Sequence, residues 1–241
     1  MAPPWYLSLV PIIVDLPTAA APDGSPVAVY LTLPAREDAD LIHRALPRTG
    51  SVLELGCGTG RISQWLAEHG HRVFAVDQSL DMLRHVPRHV NIVPVHVDIE
   101  ALMLDWKFDG VVLTSDLVNT ADQTQRSQFL AACRAHIADR GVVVIQRVDP
   151  TTRWVCGATS FFGPVRVRLL DATSTGQVIR ARLEYRIGNQ TFEQAIVTEV
   201  LDDATLVDAL AQAGLSFDCW LDPARTWLAA RSVCRSRERS W

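Results

Sequence analysis

The sequence predicts an α/β protein built on a mostly parallel sheet, and three observations lead to that class. Short apolar segments alternate with amphipathic segments between residues 51 and 147, as strands and helices do in a βαβ chain. A glycine-rich loop, residues 56–60, separates the first of these strands from the helix that follows it. Beyond Pro150 the apolar period changes to two, which indicates antiparallel strands added to the parallel core.

The first 35 residues are predicted to form an irregular N-terminal arm. Proline at positions 3, 4, 11, 17, 22 and 26 interrupts regular structure there. Residues 5–14 are apolar, but no basic residue precedes them, so we expect no signal peptide. We also expect no membrane span, because the sequence has no run of about 18 apolar residues. Tyr30, or the pair Trp5 and Tyr6, is a candidate lid over a ligand.

The predicted core spans residues 36–150. A helix over residues 37–46 leads into it, with apolar or small residues at positions 39, 41, 42, 45 and 46. The elements that follow are predicted as strand 51–55, helix 61–69, strand 72–76, helix 80–86, strand 92–97, strand 109–114, helix 122–138 and strand 141–147. Residues 98–108 leave room for only a turn of helix. This alternation favours a parallel sheet with right-handed crossovers.

Residues 151–201 are predicted to form an antiparallel insertion of about three strands. The strands are 161–170, 178–187 and 191–200, with turns at Gly176 and at Gly188–Asn189. Residues 202–241 then return to the core. A helix over residues 202–213 has acidic residues in its first turn and Gly214 as its C-cap, and strands 215–220 and 227–233 form a final hairpin.

Composition limits the classes of function. A net charge of −4 and an isoelectric point near 6.0 provide no basic surface for a nucleic acid. The five cysteines, at positions 57, 133, 156, 219 and 234, are odd in number and form no Cys-x-x-Cys motif. We therefore expect free thiols and a cytoplasmic protein.

The glycine loop is typical of a nucleotide site at the carboxyl ends of parallel strands. It has glycine at positions 56, 58 and 60, but it lacks the lysine of a phosphate-binding P-loop. A dinucleotide fingerprint would need glycine or alanine where Arg61 stands. Glu54 precedes the loop and would repel a pyrophosphate. The loop therefore suits a ligand that carries an ammonium group and no phosphate.

The segment Glu-x-Gly-x-Gly-x-Gly, residues 54–60, resembles motif I of the class I S-adenosylmethionine (SAM) dependent methyltransferases. Further landmarks resemble the same family in order and spacing: Asp77 after the second strand, residues 77–83, Asp98 after the third strand, and the fourth and fifth strands at 107–114 and 140–145. The final helix and hairpin resemble the family's strands six and seven. The resemblance covers residues 36–150 and 202–233. It implies a Rossmann-like, seven-stranded, mostly parallel sheet whose C-terminal hairpin is antiparallel.

The resemblance implies SAM as the cofactor and assigns roles to the strand-end acids. Glu54 would act on the methionine ammonium group through water or the loop amides, Asp77 would face the ribose hydroxyls, and Asp98 the adenine amino group. Cys57 would fill a tight space in the loop. The full set of expected cofactor residues is Glu54, Gly56, Cys57, Gly58, Gly60, Asp77, Gln78, Met82, Asp98, Ile99 and Ser115. By position, the arm and the antiparallel insertion would cover the substrate.

Methyl transfer needs alignment and exclusion of water, and it requires neither a nucleophilic side chain nor a metal. The catalytic residues stay open, with Asp116 and Arg147 as candidates. Asp116 follows the fourth strand and either accepts a substrate proton or caps a helix. Arg147, with Arg153, either binds an anionic substrate or forms surface salt bridges. Phe161, Phe162 and Trp154 either wall the acceptor or pack in a core. No histidine falls at the carboxyl end of a strand.

The sequence therefore predicts a SAM-dependent methyltransferase that acts on a small molecule, in secondary metabolism, with neither a nucleic acid nor a membrane as partner. Two alternatives stay open. One is a nucleic-acid methyltransferase, which would want a basic face or an Asn-Pro-Pro-Tyr-like tetrad where Thr-Ser-Asp-Leu, residues 114–117, stands. The other is a SAM-binding fold with a cyclisation, an elimination or no reaction. The acceptor atom and the oligomeric state are not determined by the sequence.

Overall fold

The computed structural model describes residues 16–47 and 49–233, apart from the side chain of Arg36. The helices are α1 Val27–Thr32, α2 Arg36–Ala45, α3 Arg61–Glu68, α4 Leu80–Leu83, α5 Gln123–His136 and α6 Asp203–Gln212. The strands are β1 Ser51–Leu55, β2 Arg72–Asp77, β3 Ile92–His96, β4 Phe108–Leu113, β5 Ile137–Gln146, β6 Thr159–Phe162, β7 Val165–Thr175, β8 Val178–Ile187, β9 Gln190–Glu199, β10 Leu215–Trp220 and β11 Trp227–Ser232. Two 3-10 turns, Ile99–Ala101 and Leu117–Asn119, follow β3 and β4.

The predicted α/β fold class is confirmed. Seven strands form one sheet in the order β10-β11-β5-β4-β1-β2-β3. The five strands β5-β4-β1-β2-β3 run parallel, and β11 is antiparallel to both β5 and β10. The strand order reverses between β1 and β4, because β1 lies between β2 and β4. A crevice therefore opens at the carboxyl ends of these strands, where such folds bind their ligands.

The central parallel strands, β1 and β4, are mostly apolar because both faces of the sheet are covered there. In β1, Val52 packs with α2 and α3 on one face, and Leu53 packs with α5 and α6 on the other. The same alternation recurs at Val111 and Val112 of β4. Two hydrophobic layers thus hold the strand ends, and with them the loops of the crevice, in fixed positions.

Four antiparallel strands, rather than three, form the inserted sheet, in the order β6-β7-β8-β9. The predicted turns are present, with Gly176 at φ +61° and Gly188 at φ +56°. The additional strand, β6, arises because Gly163 adopts φ +57° and folds residues 159–162 back onto β7. The sequence pattern had joined Phe161 and Phe162 to the longer strand.

Other element bounds also differ from the prediction. The fifth strand was predicted to begin at residue 141, but β5 begins at Ile137, so Gly141 lies inside it. Glycine is required there by space, since a Cβ atom would lie 2.5 Å from Ile137 Cδ1 and 3.0 Å from the Asp109 carbonyl oxygen. The arm contains a short helix, α1, and α4 ends at Leu83 instead of residue 86.

A single buried side chain, Asn119, joins the two points where the chain leaves the core for the inserted sheet and returns from it. Its Oδ1 accepts a hydrogen bond from Val148 N (2.9 Å), just after β5. Its Nδ2 donates to the carbonyl oxygen of Glu199 (2.7 Å), at the end of β9. The Glu199 carboxylate also pairs with Arg126 of α5 at 2.5 Å. The antiparallel sheet is therefore anchored to the core at one place.

Over the part of the chain that the structure describes, no helix is both long and apolar enough to span a bilayer. Cys57, Cys133, Cys156 and Cys219 are free thiols, and Cys234 lies outside the described residues.

Candidate functional site

The crevice contains a cleft that opens to solvent, and the empty space inside it and across its mouth is about 630 Å³. Strand-end loops of the core form its floor, and the N-terminal arm and α5 form its walls. The lining residues are Ala21, Asp23, Ser25, Tyr30, Gly56, Gly58, Asp77, Gln78, Met82, Ile99, Glu100, Ser115, Leu117, Gln125 and Phe129. Of the expected cofactor residues, Gly56, Gly58, Asp77, Gln78, Met82, Ile99 and Ser115 thus meet at one cleft.

The glycine loop has a conformation that only glycine adopts readily. Gly56 and Gly58 have φ of +75° and +55°. The amides of Gly56 and Cys57 both donate to the Val76 carbonyl oxygen (2.9 Å), which ties the loop to β2. A Cβ atom on Gly56 would lie 2.5 Å from Leu117 Cδ1. The loop backbone therefore lies against the cleft with no side chain in between.

The Asp77 carboxylate is fixed at the end of β2. Its Oδ2 accepts a hydrogen bond from Gly58 N, and its Oδ1 accepts one from Ser79 N, both at 2.8 Å. Burial raises the pKa of this carboxyl, and the two backbone bonds oppose the effect. Each oxygen keeps a second lone pair directed away from these amides. The group can therefore accept two further hydrogen bonds from a diol in the cleft.

Glu54 lies behind the glycine loop instead of in the cleft. Its side chain is buried, with 1% of the residue exposed, and it accepts a hydrogen bond from Ser63 Oγ of α3. Burial raises the pKa of Glu54 to about 7, and the Ser63 bond opposes the effect. Any influence of Glu54 on a ligand must therefore pass through the loop.

Of the three strand-end acids, Asp77 lines the cleft, and Glu54 and Asp98 do not. Asp98 is exposed at the start of the 3-10 turn after β3, whereas the next residue, Ile99, lines the cleft. Cys57 and Gly60 also lie outside the lining. Cys57 is buried, and burial raises the pKa of its thiol well above the usual value, which makes it unreactive.

The turn after β4 is strained. Ser115 and Asp116 both adopt left-handed backbone conformations, with φ of +56° and +55°, at a cost of roughly 1–2 kcal/mol each. Ser115 N donates to Gln146 Oε1 (2.9 Å), which holds the turn against β5. Such strain in a non-glycine pair is typical of functional sites.

Asp116 lies between Ser115 and Leu117, both of which line the cleft. Burial raises the pKa of the Asp116 carboxyl to about 6, with a further increase from Asp38 and an opposing effect of Arg61. The carboxylate is therefore more basic than an exposed aspartate and is still ionised at neutral pH.

Arg147 does not face the cleft, which corrects its assignment to an anion site or a catalytic role. Its guanidinium donates to the carbonyl oxygens of Arg225 (2.7 Å) and Leu201 (3.1 Å) and pairs with Asp203 Oδ1 (2.5 Å). It also lies 4.4 Å from the centroid of the Trp220 ring. Arg147 is thus buried, with a hydrogen bond from each of its three guanidinium nitrogens, and it fixes α6 and the final hairpin to the end of β5.

The aromatic residues of the insertion do not form a wall over the cleft. Phe161 and Phe162 are 71% and 51% exposed, and neither lines the cleft. Trp154 packs against the small cluster of Leu169, Ile179 and Ala181. Of the lid candidates, Tyr30 lines the cleft, and Trp5 and Tyr6 lie outside the described residues.

Sequence reasoning missed Asp23 and Ser25 of the arm, Glu100 after β3, and Gln125 and Phe129 of α5. Glu100 follows Ile99 directly, and Gln125 and Phe129 share one face of a helix at a spacing of four residues. Those three positions carry a local signal. The arm residues carry none, because only the tertiary fold brings them to the cleft.

The charge of the lining tests which ligand fits. Among the described residues that line the cleft, Asp23, Asp77 and Glu100 are acidic, and none is lysine, arginine or histidine. A phosphate would meet three carboxylates and no cationic side chain among these residues, whereas a cationic ligand with a diol would find favourable partners. The cleft therefore fits the expected sulfonium cofactor. The described residues contain no group of three histidine, cysteine or acidic residues that could hold a metal ion.

Comparisons with known proteins agree with this geometry. A family model described as a methyltransferase domain matches residues 52–141. The cypemycin N-terminal methyltransferase of a Streptomyces species is 36% identical over 140 residues, which cover 55% of this chain and 57% of that protein. The dTDP-3-amino-3,6-dideoxy-alpha-D-glucopyranose N,N-dimethyltransferase of Streptomyces fradiae is 28% identical over 162 residues, 63% of this chain and 64% of that protein. The chain thus spans less than two thirds of the length of either relative.

Two solved structures share the fold. The sugar N-methyltransferase KedS8 from Streptoalloteichus has a TM-score of 0.68 at 19% identity, over 90% of this chain and 97% of that one. SAM-bound CalS10, an amino pentose methyltransferase from Micromonospora echinaspora, has a TM-score of 0.64 at 23% identity, over 82% and 89% of the two chains. The Rossmann-like architecture predicted from the sequence is therefore confirmed.

Proposed function

We propose that this chain is a class I SAM-dependent methyltransferase that transfers a methyl group to an amine nitrogen of a small molecule. The match of its core to a methyltransferase domain supports the family. The observation that carries the proposal is the cleft at the carboxyl ends of β1, β2 and β4, with three carboxylates and no basic side chain among its described lining residues. The relatives support nitrogen as the acceptor atom, since the names of both curated proteins above describe methylation at an amine.

The residues proposed to hold SAM are those that line the floor of the cleft. Asp77 would accept the ribose hydroxyls, and the backbone of Gly56 and Gly58 would lie along the methionine end. Gln78, Met82 and Ile99 would enclose the adenine, with Ser115 near the sulfur. When bound, SAM would supply a methyl group attached to its sulfonium sulfur. A nucleophile would attack the methyl carbon in line with the sulfur, which would leave as the thioether of S-adenosylhomocysteine. Glu54, Cys57 and Gly60 are proposed to shape the loop, and Asp98 is left out because it does not line the cleft.

Asp116 is proposed as the proton acceptor. An amine attacks only through a free lone pair, so an ammonium substrate must lose a proton before or during transfer. The Asp116 carboxylate follows directly on Ser115 in the strained turn, and its raised pKa of about 6 makes it a stronger base than a solvated aspartate. Tyr30 and the arm would cover the cleft and exclude water from it.

The two rival functions have weaker support. The described lining offers a nucleic acid no basic side chain, and the whole chain is acidic. A SAM-binding protein that performs no reaction would have no need of a base beside the cleft. Both rivals are distinguished from the proposal by the products that they would form.

The test incubates the protein with methyl-labelled SAM and three acceptors: an amino sugar, the matching sugar with hydroxyl in place of the amine, and a structured RNA. We expect label on the amine and equal amounts of S-adenosylhomocysteine, measured by mass spectrometry. Label on RNA, or turnover without methyl incorporation, would overturn the proposal. Calorimetry with SAM alone tests cofactor binding separately.

The Asp116→Asn variant tests the proton acceptor. Asparagine tolerates the left-handed backbone, so the turn is expected to persist. We expect kcat to fall by about 10²-fold with an unchanged Kd for SAM. The wild-type rate should rise with pH through about 6 as Asp116 loses its proton, and the variant should lack this rise. An identical pH profile in both proteins would exclude the assignment.

A further inference from the structure

Besides Tyr30, the part of the N-terminal arm that reaches the cleft is a tight turn, residues 20–26. A β-bridge joins Ala20 to Pro26, and Gly24 N donates to the Ala21 carbonyl oxygen at 2.8 Å. The tip of this turn places Ala21, Asp23 and Ser25 in the lining of the cleft. Its position over the cleft must therefore be set by contacts outside the turn.

A chain of hydrogen bonds connects this turn to the antiparallel sheet. Tyr185 Oη of β8 donates to Gln194 Oε1 of β9 (2.8 Å), and Gln194 Nε2 donates to Ser25 Oγ (3.0 Å). Ser25 Oγ in turn donates to Asp23 Oδ2 at 2.9 Å. All donors point the same way along the chain, which ends on a carboxylate in the cleft. Chains of this kind polarise one another and fix the orientation of each member.

Gln194 is the central link. It is 8% exposed and Ser25 is 4% exposed, so a broken bond would leave a buried polar group without a partner, at a substantial cost. Burial raises the pKa of Tyr185, with smaller effects from Tyr30 and Asp23, so that hydroxyl stays a donor at any physiological pH. A leucine would fill the same position of the strand more simply, and the amide is therefore explained by its contact with the turn.

We infer that Gln194 is a positioning residue: from the antiparallel sheet it holds the arm turn 20–26 over the cleft, so that the sheet controls how tightly the cleft retains its ligand. The identity of that ligand as SAM rests on the proposed function, but the restraint on the turn does not. Gln194 itself does not line the cleft and acts through Ser25 and Asp23.

The test compares the wild-type protein with Tyr185→Phe and Gln194→Leu by hydrogen–deuterium exchange without ligand. In both variants we expect the amides of Ala21, Gly24 and Val27, which are bonded within the turn, to exchange at least tenfold faster. Amides that pair β8 with β9 should keep their protection. Glu193→Gln, on the same strand and the opposite face, is the matched control and should behave as wild type.

Calorimetry on the same proteins provides the second measurement. We expect the Kd for SAM to rise five- to tenfold in both variants, and to stay unchanged in the control. Wild-type exchange in the turn of Tyr185→Phe would overturn the inference, even if Gln194→Leu fails to fold. Faster exchange with an unchanged Kd would overturn the claim that the sheet determines how tightly the cleft retains its ligand. Failure of the wild type to bind SAM would contradict the proposed function, while the exchange data would still decide the restraint.

Discussion

Glu54 shows how one residue can serve the site at the expense of stability. Its carboxyl is buried beneath the glycine loop with Ser63 as its hydrogen-bond donor, and its pKa is raised from 4.5 to about 7. A carboxyl whose pKa is higher in the folded state binds its proton more tightly there. Its contribution to stability is therefore complete below pH 4.5 and is lost as the pH rises through about 7.

Glu54→Gln should accordingly stabilise the protein at high pH. At pH 8 we expect the free energy of unfolding to exceed that of wild type by up to about 3 kcal/mol, and at pH 4.5 the two should agree. Urea denaturation at both pH values measures the difference. Glu68→Gln, exposed on the same helix as Ser63, is the control. A difference that does not vary with pH would show that folding does not raise the pKa of Glu54.

Asp77→Asn should weaken SAM binding by at least tenfold. An amide has one acceptor oxygen instead of two, so it loses one of the bonds from Gly58 N and Ser79 N as well as part of its capacity for the ribose diol. Calorimetry checks the Kd. Asp81→Asn is the control, because Asp81 is exposed and pairs only with Arg84 in a surface ion pair. An unchanged Kd in Asp77→Asn would remove the ribose assignment.

The three acids illustrate how far sequence can predict a site residue. Asp77 is the last residue of β2, so its side chain leaves the sheet at the crevice. Glu54 precedes the last residue of β1, and the alternation of strand side chains turns it under α3. Asp98 comes two residues after β3 ends. The type of residue was predictable, but a shift of one or two positions decided which side chain reaches the cleft.

At the level of elements, hydrophobic periodicity predicted the helices and strands that bury a regular pattern of side chains. The alternation between residues 51 and 147 predicted the parallel core, because its central strands, β1 and β4, are buried on both faces and the helices bury one face. Periodicity failed for β6, whose four residues are all exposed, and for α1, which has only six residues. Neither element buries a regular stripe of its own, so only its surroundings determine its conformation.

Asn119→Ala should lower the free energy of unfolding by more than the loss of one polar side chain usually does. The substitution leaves Val148 N–H and the Glu199 carbonyl without partners, and two such buried groups cost about 2–4 kcal/mol. Urea denaturation measures this loss, with the exposed Gln128→Ala on α5 as the control. A loss below 0.5 kcal/mol would mean that water replaces the amide at both points.

At the level of the whole molecule, a ligand of the cleft should stabilise every layer at once, since strand ends, arm and α5 all line it. SAM at one hundred times its Kd should contribute about 2.7 kcal/mol, which raises the melting temperature by about 5–10 °C. NADH and ATP should produce no shift, because the described lining has no cation for their phosphates. A shift with either would contradict the choice of cofactor.

The long-range contacts of the molecule were beyond local patterns. Gln194 bonds to Ser25 across 169 positions of sequence, and Arg147 bonds to Asp203 across 56. Arg147 follows a strand in the sequence just as a ligand-binding residue would, yet α6 and the hairpin enclose it. Such pairings depend on how separate elements pack, and no spacing within a single element encodes them.

The anchoring of the inserted sheet by Asn119 has a consequence for how proteins of this design can diversify. The Asn119 amide bonds to the chain both where it leaves the core and where it returns. The segment from residue 149 to 198 is therefore a single insertion into the Rossmann-like fold. Evolution or protein engineering can therefore replace this insertion with one of different shape and leave the floor of the cleft unchanged. A replacement insertion would still need a hydrogen-bond donor at the position of Gln194, because otherwise the arm turn 20–26 would lose its bond to the sheet.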